Sequence, residues 1–79
     1  MQDYQPIACI QHERLEFSVL RRIPLMLEYC RFDERLKARV MPLDVVTRNG
    51  AEWLKFQKPD GSQEEIRLDL ILSFREVLS

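Results

Sequence analysis

Seventy-nine residues with 46% hydrophobic and 32% charged content fit one soluble domain and exclude a disordered chain. Twelve basic residues against thirteen acidic ones leave a net charge of −1, which argues against a globally electropositive nucleic-acid binder. No apolar run approaches the roughly 18–20 residues of a membrane-spanning helix.

A domain this small buries only about 60% of its unfolded surface, so its core must be economical. Met1-Gln2-Asp3-Tyr4 lacks the basic start and apolar middle of a signal peptide, and a cytoplasmic location is expected. Cys9 and Cys30 lie far apart with no CxxC spacing, and His12 is the single imidazole. Together they fall short of the four ligands of a structural zinc site, so no metal and no cofactor is expected. A disulfide is open in principle; with nothing pointing to export, reduced and half-buried thiols are the expectation.

Residues 1–10 read as an extended arm, with Pro6 holding Gln5 away from helical angles and Tyr4, Ile7 and Ile10 as apolar anchors. Gln11 to Arg22 contains no glycine or proline. Leu15 and Val19 repeat at i, i+4, Ser18 and Arg22 share their face, and Phe17 and Leu20 widen the apolar side. That spacing predicts an amphipathic helix over about 11–22, with Glu13 near its start and Arg21 and Arg22 at its end to suit the dipole. Neither Ile10 nor Gln11 is a good cap, and Pro24 stops the helix.

The remainder, about 23–79, alternates with period two. Ile23, Leu25, Leu27 and Tyr29 point inward on one strand. Arg31–Glu34 is a turn, and Leu36, Ala38 and Val40 point inward on the next strand, with Lys37 and Arg39 outward. Pro42 permits a bend or bulge before the strand resumes at Asp44–Thr47. Arg48-Asn49-Gly50 is a turn, because Asn-Gly favours the positive φ angles of tight hairpins. Leu54 and Phe56 then alternate with Trp53 and Lys55, Pro59-Asp60-Gly61-Ser62 reverses the chain, and Ile66 and Leu68 alternate with Glu65, Arg67 and Asp69. The apolar run Leu70–Phe74 is too dense for alternation and reads as a turn or single helical turn leading to a last strand. The predicted fold is therefore mainly β with one N-terminal α-helix: a single domain holding a small Sm-like or SH3-like antiparallel barrel of about five strands, its open end covered by the helix.

Catalysis has little support. Ser18, Ser62, Ser73 and Cys9 have no base partner evident in the sequence, and a lone helix histidine is more often an exposed one. Gly50 and Gly61 lie in separate turns and make no phosphate loop. Glu13 and Glu16, three apart, share a helix face that is either a solvated surface or an acidic contact surface for a basic partner. Residues 51–79 carry six acids against four bases and residues 23–50 four against five, so a basic surface is disfavoured overall while a local patch stays open. Trp53, on the face opposite Leu54 and Phe56, is either a binding anchor or cover for the helix.

The residues resemble a known family. Tyr4-Gln5-Pro6-Ile7-Ala8-Cys9, Leu15-Glu16-Phe17, Glu52-Trp53-Leu54 and Ile66-Arg67-Leu68-Asp69 with Ile71 and Ser73-Phe74 follow, in order and spacing, the pattern of the Rho-binding antiterminators, the Rof or YaeO family. The resemblance implies a cytoplasmic, non-enzymatic Sm-like protein that binds the N-terminal RNA-binding domain of transcription termination factor Rho and blocks RNA loading. The charge and hydropathy add the expectation of no direct contact to nucleic acid or membrane, and a monomer is the default, with self-association through barrel edge strands left open. Carried over by position, it points to Gln11, His12, Glu13 and Glu16 as partner-binding residues, with Arg48 and Asn49 behind them. This chain has Ile10 and Gln11 where relatives often carry acids after the cysteine. Ile66, Leu68, Ile71 and Phe74 are expected in the core, and Arg67 and Asp69 outward, pairing with neighbouring strands. The alternative reading is an Sm-like RNA-binding module; a third is an adaptor for another protein.

Overall fold

The computed structural model describes residues 4–77; Met1–Asp3 of the expected arm and the last two residues of the expected barrel lie outside them. One helix, α1 (Cys9–Arg21), is followed by strands β1 (Leu25–Arg31), β2 (Glu34–Arg48), β3 (Ala51–Gln57) and β4 (Gln63–Arg67). A 3-10 turn (Leu68–Leu70) then leads into β5 (Ile71–Glu76). All pairings are antiparallel and the strand order is β4-β3-β2-β1-β5, which makes β4 and β5 the edges of an open, strongly bent sheet. The dense apolar run after Arg67 is resolved as the 3-10 turn plus β5.

Both β1–β2 and β2–β3 close through two-residue turns with left-handed backbone at both positions: Phe32 and Asp33 (φ 52° and 61°), Asn49 and Gly50 (φ 53° and 75°). Such turns match the right-handed strand twist. The third hairpin is set by Asp60, whose Oδ1 accepts the Ser62 N–H at 2.8 Å and the Ser62 hydroxyl at 2.6 Å. These bonds hold the Asp60 carboxyl below the usual carboxylate range.

β2 is one long strand that serves both halves of the sheet. Pro42 pairs with Phe56 and Asp44 with Lys55, so Leu43 is an extra residue with no opposite number. This bulge reverses the inward parity: even positions up to Pro42 face the core, and beyond it Val45 does. Leu25, Leu27, Tyr29, Val40, Leu54, Phe56, Ile66 and Leu68 fill the core with Leu15 from the helix. Tyr29 and Phe56 meet edge-on at 5.6 Å. Burying a side chain such as Leu54 or Phe56 stabilises the fold by about 2–3 kcal/mol each.

Several expectations are corrected. The helix begins two residues early, at Cys9, with Ala8 as N-cap and no side-chain cap, and it ends with Arg22 left-handed (φ 55°). Glu13 therefore falls outside the first turn, which holds no acid, while Arg21 does stand in the last turn. Only a narrow stripe of the helix is covered: Leu15 and Ser18 are buried, but Phe17 is 52% and Leu20 81% exposed. Tyr4 and Ile7 pack on the core as anchors, whereas Ile10 is 64% exposed. Cys30 is half-buried, Cys9 is exposed, and both are free thiols.

Arg67 and Asp69 have the outward parity but are not outward-facing groups. Their side chains are 11% and 9% exposed, and they form a bidentate pair (Nε to Oδ1 2.7 Å, Nη2 to Oδ2 2.8 Å). The arm crosses over them: the Gln5 N–H donates to Asp69 Oδ2 at 3.0 Å, and the Arg67 guanidinium lies 5.8 Å from the centre of the Tyr4 ring. Burial alone would raise the Asp69 carboxyl, but hydrogen bonds from Arg67 and the Gln5 N–H, with the Arg67 charge, hold it below the usual range.

Candidate functional site

The helix and the β2–β3 hairpin meet at one end of the molecule. His12 projects from α1 between two carboxylates, with Nδ1 3.2 Å from Glu16 Oε1 and Nε2 2.9 Å from Glu52 Oε2. Glu16 reaches it because residues four apart on a helix are neighbours. Glu52 reaches it from the start of β3, where it has the same parity as Leu54 and Phe56 and so faces the helix. His12 is thus half-buried in a carboxylate clasp, and not the exposed helix histidine expected from its type. An imidazole in this position faces carboxylates, not a serine or cysteine, so the geometry serves charge and orientation rather than nucleophile activation.

Tyr4 lies beside the same group. Burial, with the Glu52 and Asp69 carboxylates nearby, pushes its phenol above the ordinary value. The arm, the helix and the tip of the β2–β3 hairpin are therefore joined through Glu52. Arg48 is opposite Ala51, one position from Glu52's own partner Thr47. Its guanidinium lies 5.1 Å from the centre of the Trp53 ring and donates to Glu65 Oε1 at 2.9 Å. Trp53 is consequently half-buried beneath Arg48 and adjoins Arg67 across the ladder. Asn49 sits exposed at the tip, its left-handed backbone accounted for by the turn.

The six residues expected at the site are not all gathered. His12 and Glu16 form the clasp, and Arg48 and Asn49 crown the adjoining hairpin. Glu13 is exposed on another flank of the helix, in a shallow groove with Ile10, Phe17, Ile23 and Glu76. Gln11 turns toward β5. Its side-chain oxygen accepts from Arg14 Nη1 at 3.3 Å, and it borders a groove of about 320 Å³ walled by Leu15, Leu72 and Phe74. Arg14 closes that side by pairing with Glu76 at 3.1 Å and lying over the Phe74 ring.

Glu52 is the site residue that the sequence reading passed over. Its signal was present: a carboxylate at an inward position of β3 needs a polar partner when half-buried. Ile10 and Phe17 also emerge only from the fold, because their exposure depends on how little of the helix the barrel covers.

Among the described residues, no helix is long and apolar enough to cross a membrane. No protein-family model matches this chain. Among solved structures, it resembles proteasome accessory factor B/C of Arthrobacter aurescens, with a TM-score of 0.75 and 19% identity over 91% of this chain. It spans 12% of that chain's length, and the likeness concerns the fold alone. Among characterised proteins, it is 37% identical over 71 residues to protein rof of Escherichia coli (strain K12), covering 90% of this chain and 80% of that one. The match to protein rof of Shigella flexneri has the same extent. With identity of that level over nine-tenths of its length, this chain belongs to the Rof family.

Proposed function

We propose that this protein inhibits transcription termination factor Rho by binding its N-terminal RNA-binding domain and blocking the loading of RNA. It acts by occlusion, as a cytoplasmic monomer without cofactor or chemistry of its own. Membership of the Rof family supports the reading. The observation that carries it is the acidic end of the molecule, where Glu16 and Glu52 flank His12, with Glu13 exposed on the next flank of the same helix. A site that accepts RNA must be electropositive, so a protein competitor needs carboxylates and hydrogen-bonding groups at matching positions. Arg48 and Asn49 extend the contact from the hairpin tip, and Gln11 from the helix.

The test is competition. Purified Rho N-terminal domain is titrated with labelled RNA in the presence of this protein, and the displaced fraction is read by fluorescence anisotropy. Wild-type protein displaces the RNA. The Glu13→Lys, Glu16→Lys double variant stays folded, because both residues are exposed, and displaces it at least tenfold less well. A folded double variant that competes like wild type removes the helix from the contact. Wild-type protein that leaves RNA loading untouched at saturation removes the function.

A further inference from the structure

The outer face of β5, β1 and β2 has a composition unlike the rest of the molecule. The register aligns three rows across it: Arg75–Met26–Arg39, then Ser73–Glu28–Lys37, then Cys30–Arg35. Arg35, Lys37, Arg39 and Arg75 are all exposed, and they face one carboxylate, Glu28. That carboxylate is already occupied, 3.4 Å from Arg35 Nε and accepting the Ser73 hydroxyl at 3.3 Å. Among the described residues, no ion pair engages Lys37, Arg39 or Arg75. A chain of net charge −1 has therefore collected a cationic strip on one face.

We infer that this strip binds the phosphate backbone of single-stranded nucleic acid. The backbone positions of Lys37 and Arg39, at i, i+2 on β2, are about 6.8 Å apart, and that of Arg75 stands two strand spacings from Arg39, about 10 Å. The first distance is close to the step between neighbouring phosphates of an extended strand, so successive charges of the ligand meet successive cations. An acidic protein surface is the poorer fit. Protein interfaces are centred on apolar and aromatic anchors with charges at the rim, whereas the cations of this strip flank only Met26, Glu28 and Cys30, and none of its aligned residues is aromatic. The same lack of aromatics denies bases a stacking platform, so binding is independent of sequence and carried by charge. The surface is separate from the helix and hairpin assigned to Rho, and it stands or falls independently of that assignment.

The experiment is the salt dependence of binding by this protein alone, without Rho. A labelled oligouridylate of about twelve nucleotides is titrated between about 50 and about 200 mM salt. Each phosphate contact contributes about −0.7 to the slope of log K against log salt, so three or four contacts give roughly −2 to −3. The Lys37→Ala, Arg39→Ala variant reduces the magnitude of that slope by about 1.4, while Lys55→Ala on the opposite face leaves it unchanged. Circular dichroism melts of each variant separate lost contact from lost fold, and Lys37→Gln, Arg39→Gln serves where the alanines fail to fold. No measurable binding at the lowest salt overturns the inference, as does a slope that the Lys37 and Arg39 changes leave alone. Polyglutamate bound as tightly as the oligonucleotide would assign the strip to an acidic protein instead. Competition for Rho by the strip variants stays at the wild-type level, so failure here and failure of the Rho reading are read from different assays.

Discussion

On the outer face of β2, β3 and β4, cations meet carboxylates. Arg48 holds Glu65, and Arg67 clasps Asp69. Across the bend, on β5, β1 and β2, Lys37, Arg39 and Arg75 project from the same kind of pleated surface with no such arrangement. The two faces share strand β2 and differ in what their charges do. On the first, charge joins parts of the chain distant in sequence, most plainly the arm and the last hairpin through Asp69. On the second, charge is left to the solvent or to a ligand. A charged side chain on an outward strand position is thus read by its partners, and its parity alone does not give its role.

The difference can be tested by stability, beginning where it should be greatest. Arg67→Ala leaves the Asp69 carboxylate nearly buried without its guanidinium, and should cost about 3 kcal/mol. In a domain of this size that lowers the melting temperature by roughly 12 °C or more. Adding Asp69→Asn to Arg67→Ala should recover part of the loss, since the unpaired charge is then gone. A melting temperature unchanged by Arg67→Ala would erase the contrast between the faces.

Acid provides the next test. The Asp69 pKa is lower in the folded protein than in the unfolded chain, so its contribution is fully present above the unfolded value. It fades as pH falls from the ordinary carboxylate range through the depressed folded value. Urea titrations at decreasing pH should show wild type losing stability across that window, and Asp69→Asn should show a shallower loss.

Smaller effects complete the series. Arg48→Ala removes an exposed ion pair and the cover over Trp53, and should cost about 0.5–1 kcal/mol by urea titration. Its tryptophan fluorescence should shift as the ring meets more water. Lys37→Ala with Arg39→Ala should change stability by no more than about 0.5 kcal/mol. A larger cost would mean that the cationic strip is structural after all.

Much of the fold is legible in the residues. Alternation at Leu54, Phe56, Ile66 and Leu68, with Asn49-Gly50 and Pro59–Ser62 between apolar runs, specifies two hairpins through local chemistry alone. What stays hidden depends on contacts far apart in sequence. Arg67 alternates outward, and only the passage of Tyr4 and Gln5 over it, more than sixty residues away, makes it buried. The helix shows a broad apolar side in Leu15, Phe17, Val19 and Leu20, yet periodicity cannot say how wide a surface awaits it, and the open barrel takes only a stripe. At the site, His12 and Glu16 follow from helical spacing. Glu52 joins them across the fold, and Gln11 and Glu13 are carried to other flanks by the same 3.6-residue period that made them look like neighbours.

Leu43 keeps the two halves of this molecule in phase. Excising that one residue from β2 would let the ladder with β3 run unbroken, and everything on one side of the former bulge would turn through half a rotation. Either Val40 and Pro42 would swing toward water while Lys37 and Arg39 pointed at the hydrocarbon interior, or Asp44 would do so while Val45 was expelled. The segregation of salt-bridged and naked surfaces is therefore written less in the charges than in an odd-numbered insertion, and a one-codon deletion there should be harsher than any charge reversal on either side.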